Sequence, residues 1–194
     1  MSRLRLCALW SVLMVLVACG GVPLRSLPRL VHLQEELLTG DPAEFAVAIA
    51  VDARMTPPPG SAPFLVFRVA PGRAGAFEAI DRRLPMEFAT AAGATQGLPH
   101  PGRDRRWLVY RLGSTARTEI LELRRRWTAL QASGATATGG TISLGLEQDG
   151  VAARDPAFAD TLWESWLRTS RREGYYALWS GTVGELIAQA DKRR

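Results

Sequence analysis

Cysteine, histidine and lysine are almost missing from this chain. Its 194 residues include two cysteines, Cys7 and Cys19, and two histidines, His32 and His100, far apart in sequence. A protein zinc site draws several nitrogen or thiolate ligands from closely spaced positions, so no metal is expected here, and no motif calls for another cofactor. Lys192 is the one lysine among 24 basic residues, which removes the Ser-x-x-Lys arrangement of a lysine-activated serine. Ser143, within Gly140-Thr141-Ile142-Ser143-Leu144-Gly145, lacks the G-x-S-x-G elbow and reads as an outward strand residue between two apolar ones. Neither histidine has a serine or aspartate at a spacing that suggests a triad. The glycine pattern of a phosphate cradle is also missing. Asp52, Asp81, Glu87 and Glu164 are scattered, so a carboxylate pair of glycosidase type could arise only through the fold. No catalytic residue is therefore assigned.

The longest apolar run, Leu6 to Val17, falls short of the ~20 residues that span a bilayer as a helix. Arg3 and Arg5 precede it, and Leu16-Val17-Ala18-Cys19 closes it. A charged start, a short apolar centre and a small residue before a cut mark a segment that is removed rather than folded. The arrangement resembles a bacterial lipoprotein signal peptide, with Leu16-Val17-Ala18-Cys19 matching the lipobox at which cleavage follows acylation of the cysteine thiol. The resemblance implies that residues 1–18 leave, that Cys19 becomes the lipidated first residue, and that residues 19–27 form a tether. Each buried acyl CH₂ contributes about 0.8 kcal/mol, so more than one chain gives firm membrane attachment. Gly20, where an aspartate would retain the protein in the inner membrane, implies the inner leaflet of the outer membrane, facing the periplasm. The Pro- and Leu-rich tether leading through Asp41-Pro42 into a strand is similar to short proteobacterial lipoproteins. That likeness covers the first third of the chain and implies no activity.

What remains is of ordinary globular composition, with 47% hydrophobic and 22% charged residues over the chain. Residues 28–194 suit a single domain with an adequate core. With Cys7 removed and Cys19 acylated, neither a free thiol nor a disulfide remains, and stability must come from packing. Losing Arg3 and Arg5 lowers the formal charge from +5 to +3. Arg103/Arg105/Arg106 and Arg124/Arg125/Arg126 could face anionic headgroups at about 1 kcal/mol per charge. Asp104, Glu119 and Glu122 balance them, and a solvated face is the preferred reading. Nucleic acid is not an expected partner outside the cytoplasm.

Periodicity indicates a mainly β fold with flanking helices, an antiparallel sheet or β-sandwich of about 5–7 strands with two or three helices. Leu30, Leu33 and Leu37 at helical spacing, stopped by Gly40, suggest a first short helix. Strict alternation from Glu44 to Asp52 predicts a half-buried strand, with Phe45, Val47, Ile49 and Val51 on one face and alanines on the other. Further strands are expected through Phe64–Val69, through Leu84, Met86 and Phe88, through Leu108, Tyr110 and Leu112, and through Ile142, Leu144 and Leu146. Ser114 is a candidate cap for a helix whose stripe is Ala116, Ile120, Leu123, Trp127 and Leu130. Residues 155–179 admit a helix opening at Asp155-Pro156 or a helical turn at 156–160 followed by a hairpin around Arg171 to Gly174; the second is preferred. Thr182-x-x-Glu185 is a capping box ahead of a last helix.

Five aromatics near the C-terminus, Trp163, Trp166, Tyr175, Tyr176 and Trp179, are a candidate binding surface for glycan or lipid. Aromatics at this frequency more often pack a core. The anchor and the missing catalytic constellation lead to one expectation: a lipid-anchored cell-envelope lipoprotein, a non-enzymatic binding or assembly accessory within an envelope protein complex. The alternative is a lipid-anchored hydrolase acting on a cell-wall polymer.

Overall fold

The computed structural model describes residues 35, 36, 38–134, 136 and 139–192. The expected signal segment, Cys19, the expected tether and His32 lie outside the described residues. Of the helix expected before Gly40, Glu35, Glu36, Leu38 and Thr39 are described and are helical. The elements that follow are β1 (Ala46–Asp52), β2 (Phe64–Pro71), β3 (Ile80–Phe88), β4 (Arg105–Leu112), α1 (Ser114–Ala132), β5 (Gly140–Glu147), β6 (Leu162–Arg168), β7 (Tyr176–Thr182) and α2 (Val183–Asp191). Short 3-10 turns occupy Pro42–Glu44, Asp149–Val151 and Pro156–Phe158. No helix among the described residues is long and apolar enough to cross a membrane.

The strands form one antiparallel sheet in the order β5-β2-β3-β4-β1-β6-β7. This is the mainly β fold with flanking helices expected from the periodicity, realised as a single curled sheet. The curl centres on β3, which pairs with β2 through Ile80–Pro85 and with β4 through Met86–Phe88. Right-handed strand twist then carries the two halves of the sheet around a common interior. Leu144 and Leu146 from one edge strand and Tyr176 and Trp179 from the other consequently pack into the same core as Val47, Ile49 and Val51.

Helix α1 covers the interior with the stripe read from its sequence. Ala116 and Ile120 join the main core, while Leu123 and Trp127 pack with Phe67, Val69 and Ile80. Its cap differs from expectation. Gly113 takes the N-cap position with extended backbone and no side-chain bond, and Ser114 is already helical. The Gly113 carbonyl accepts the Arg117 N–H at 3.0 Å, so the helix opens one residue early. The Glu87 carboxylate lies where a Cβ at 113 would stand, which reserves that position for glycine.

The segment before α2 follows the preferred reading. Asp155 caps the turn at Pro156–Phe158, and β6 and β7 form a hairpin whose connection includes Gly174, with φ of +73°. That left-handed conformation strains any residue with a Cβ. Thr182 and Glu185 form the reciprocal capping box, the Thr182 hydroxyl accepting the Glu185 N–H and the Glu185 carboxylate accepting the Thr182 N–H.

Candidate functional site

Side chains alternate across a strand, so residues in register on neighbouring strands form a row on one face of the sheet. Ala46 of β1 is in register with Arg111 of β4 on one side and Arg168 of β6 on the other. The next row on that face is Val109, Ala48 and Trp166; the one after it is Trp107, Ala50 and Glu164. The alanines of β1 thus floor a trough whose walls are larger side chains. Trp107 and Trp166 meet edge to face across it, with ring centroids 6.1 Å apart. The Trp107 indole donates to the Pro99 carbonyl at 2.9 Å. Ala89, Ala94 and Leu98, from the loop between β3 and β4, pack over the same cluster. This loop explains why β1, expected to be half-buried, is buried on both faces from Ala46 to Val51.

Loop and aromatics fill most of the trough and leave its Ala46 end open. There a cleft of about 560 Å³ is bounded by Ala43, Ala46 and Val109, by loop residues between Ala89 and Gly97, and by Arg111, Arg168 and Arg171. This is the size of a small-molecule site. Among the described residues, no aspartate or glutamate lines it. Arg168 is held from two sides: its Nε donates to the Glu44 carbonyl at 3.2 Å, and its guanidinium sits 4.8 Å from the centroid of the Tyr175 ring. The Arg171 N–H donates to the Glu44 carboxylate at 2.9 Å. Arg111 is exposed and makes no side-chain hydrogen bond or ion pair among the described residues. The Tyr175 hydroxyl donates to the Ala94 carbonyl at 3.3 Å, pinning the loop to the hairpin. Burial pushes the Tyr175 phenol above its ordinary value of 10, with the Arg168 charge opposing.

The five aromatics singled out in the sequence are divided between the two faces of the sheet. Trp163 and Tyr176 are buried in the interior, with Trp179 half-buried beside them. Tyr175 is buried and Trp166 half-buried on the outer face, where they support the trough. Trp179 also lines a separate groove of about 220 Å³ between β5, β7 and α2, with Leu146, Leu178 and Leu186.

The remaining candidates occupy ordinary structural positions. Asp52 pairs with Arg54 at 2.8 Å, Asp81 with Arg68 at 2.9 Å and Glu164 with Arg105 at 3.5 Å. Among the described residues, no three of histidine, cysteine, aspartate and glutamate gather as metal ligands would. His100 accepts the Gly102 N–H at its own Nδ1, 3.1 Å away, stabilising a loop. Ser143 is an exposed strand residue, as read. In the arginine clusters, Arg105 and Arg106 bond backbone carbonyls of Ala50 and Met55, at 3.1 and 2.9 Å. Burial lowers the Arg124 pKa, and its guanidinium lies over the Phe45 ring.

Arg111, Arg168 and Arg171 escape a reading of the sequence because nothing local connects them. Arg111 and Arg168 each follow a short apolar run, Leu108–Tyr110 and Trp166–Leu167, but their strands carry other charges, Arg105, Arg106 and Glu164, so nothing sets these two apart. Comparison with protein-family models, curated proteins and solved structures finds no match to this chain.

Proposed function

We propose that this protein is a lipid-anchored cell-envelope lipoprotein whose single mainly β domain serves as a non-enzymatic binding or assembly accessory. The observation that carries the proposal is the Leu16-Val17-Ala18-Cys19 sequence behind a short apolar run and two arginines. Acylated Cys19 would hold the domain through residues 19–27 at the inner leaflet of the outer membrane, facing the periplasm. A binding role is supported by the cleft in which Arg111, Arg168 and Arg171 border alanines and glycines. Hydrolysis by a pair of carboxylates would require two of them facing one cleft, whereas Asp52, Asp81 and Glu164 are each paired with arginine.

Metabolic labelling with a fatty acid, with and without inhibition of lipoprotein signal peptidase, tests the anchor. The wild type takes up label and runs larger when the peptidase is blocked. Cys19→Ser takes up none and leaves the membrane fraction while its domain stays folded. A Cys19→Ser variant that is processed and retained in the membrane like the wild type would overturn the proposal. Crosslinking of the anchored protein in gently solubilised envelopes then tests the accessory role through the proteins recovered with it.

A further inference from the structure

We propose that the cleft between Arg111, Arg168 and Arg171 is a binding site for the phosphate group of a small ligand. The assignment rests on the cleft and stands apart from the lipid anchor.

Three guanidinium groups, one from β4 and two from the end of β6 and its turn, border one concavity of about 560 Å³. Arg111 and Arg168 flank Ala46 in register, which sets their Cα atoms ~10 Å apart at ordinary strand spacing. Long side chains rising from that separation can converge on one tetrahedral anion above the alanine. A methyl floor leaves them the room to do so. Guanidinium is the group best suited to such recognition, because it donates in pairs and cannot lose its charge. Arg168 is already oriented by Glu44 and Tyr175, so less side-chain freedom is lost on binding.

Charge favours phosphate over a carboxylate. Glu44 is engaged by Arg171, with 4.0 Å between Nε and the carboxylate, and Glu87, opposite Arg111 on β3, turns its carboxylate toward Gly113. Three positive charges against the one carboxylate of Glu44 leave a surplus of two. A phosphate monoester carries about −1.5 to −2 near neutral pH, and an isolated carboxylate only one charge. Loop residues Ala91, Ala92, Gly93 and Ala94 form the opposite wall, and the absence of bulk there leaves space for whatever bears the phosphate.

The test is calorimetric titration of the full chain in non-ionic detergent at constant ionic strength, with inorganic phosphate, glycerol 3-phosphate and acetate as separate probes. Saturable binding of one phosphate per chain is expected, with acetate markedly weaker. Arg111→Ala and Arg171→Ala, both at exposed positions, are each expected to weaken binding about tenfold or more. Arg125→Ala, exposed on α1 and not among the residues that line the cleft, should leave the affinity within about twofold, because an exposed charge outside the site is screened by salt. Tighter binding of glycerol 3-phosphate would support the site and point to an esterified source such as a lipid headgroup. Tighter binding of inorganic phosphate would support it and point to the free anion. Lack of saturable binding by either phosphate, acetate binding as tightly, or equal losses in the Arg125 and Arg111 variants would overturn the proposal.

Discussion

The side-chain oxygen of Gln148 accepts the indole N–H of Trp163 at 3.1 Å inside the core. The amide nitrogen of Gln148 donates onward to the Ser165 hydroxyl at 3.3 Å. All three residues are buried, so this chain of bonds answers a donor that the largest buried side chain would otherwise leave unpaired. Replacing Gln148 by Leu should destabilise the domain by about 1–3 kcal/mol, the cost of a buried polar group without its partner. Urea unfolding measures it. Adding Trp163→Phe should cost less in the Gln148→Leu background than in the wild type, because the orphaned donor goes with the indole. Strict additivity would show that the bond contributes nothing.

The alanine floor makes a second prediction. Ala48 is fully buried, with Val109 and Trp166 as its cross-strand neighbours. Ala48→Leu adds three carbons where the outer face is closed, and overpacking should cost about 1–3 kcal/mol. A midpoint in thermal unfolding equal to that of the wild type would mean that the loop lifts away freely.

Tyr175 ties the loop to the hairpin through its hydroxyl on Ala94. Tyr175→Phe keeps the ring beneath Arg168 and removes only that bond, so a loss of about 0.5–1.5 kcal/mol is expected. Amide hydrogen exchange should quicken in residues 91–97 and remain unchanged in β1. A uniform change over both would mark a global loss of stability instead.

Asp52 titrates unusually low. Its carboxylate accepts Nε and Nη2 of Arg54 and the Arg54 backbone N–H, at 2.8–2.9 Å, and these bonds lower its pKa from the ordinary 3.8 to about 2. The folded value lies below the unfolded one, so the contribution is complete above about pH 4 and is lost as pH falls towards 2. Carboxyl NMR should place the midpoint near 2 in the wild type and return it towards 3.8 in Arg54→Ala. An unshifted midpoint in the wild type would mean that the pair is open in solution.

Much of the architecture was legible because it is local. Alternation around Val47 and Ile49, the apolar stripe from Ala116 to Trp127 and the Thr182/Glu185 box are properties of neighbouring residues, and each lies where its pattern placed it. Gly174 suited both readings of the Trp-rich segment, as the stop of a helix or as part of a hairpin turn, and the pairing of β6 with β7 makes it the turn. The early start of α1 was not legible. There Gly113 is the N-cap and the Glu87 side chain packs against it, a contact across 26 positions of sequence.

Strand and helix patterns, the scarcity of metal ligands and nucleophiles, and the Cys19 motif on which the proposed anchor rests can all be read from the chain alone. Which aromatics are buried and which arginines line one cleft follow instead from the packing of the sheet. Trp163 and Trp166 lie three residues apart in one strand, an odd separation that alternation sends to opposite faces, and the fold makes one of those faces the interior. Arg111 and Arg168 stand far apart in the chain, and the order β4-β1-β6 sets them on either side of Ala46. Periodicity is a property of short-range backbone geometry, whereas the company a side chain keeps depends on which strands pair, and pairing is settled by burial summed over the whole sheet.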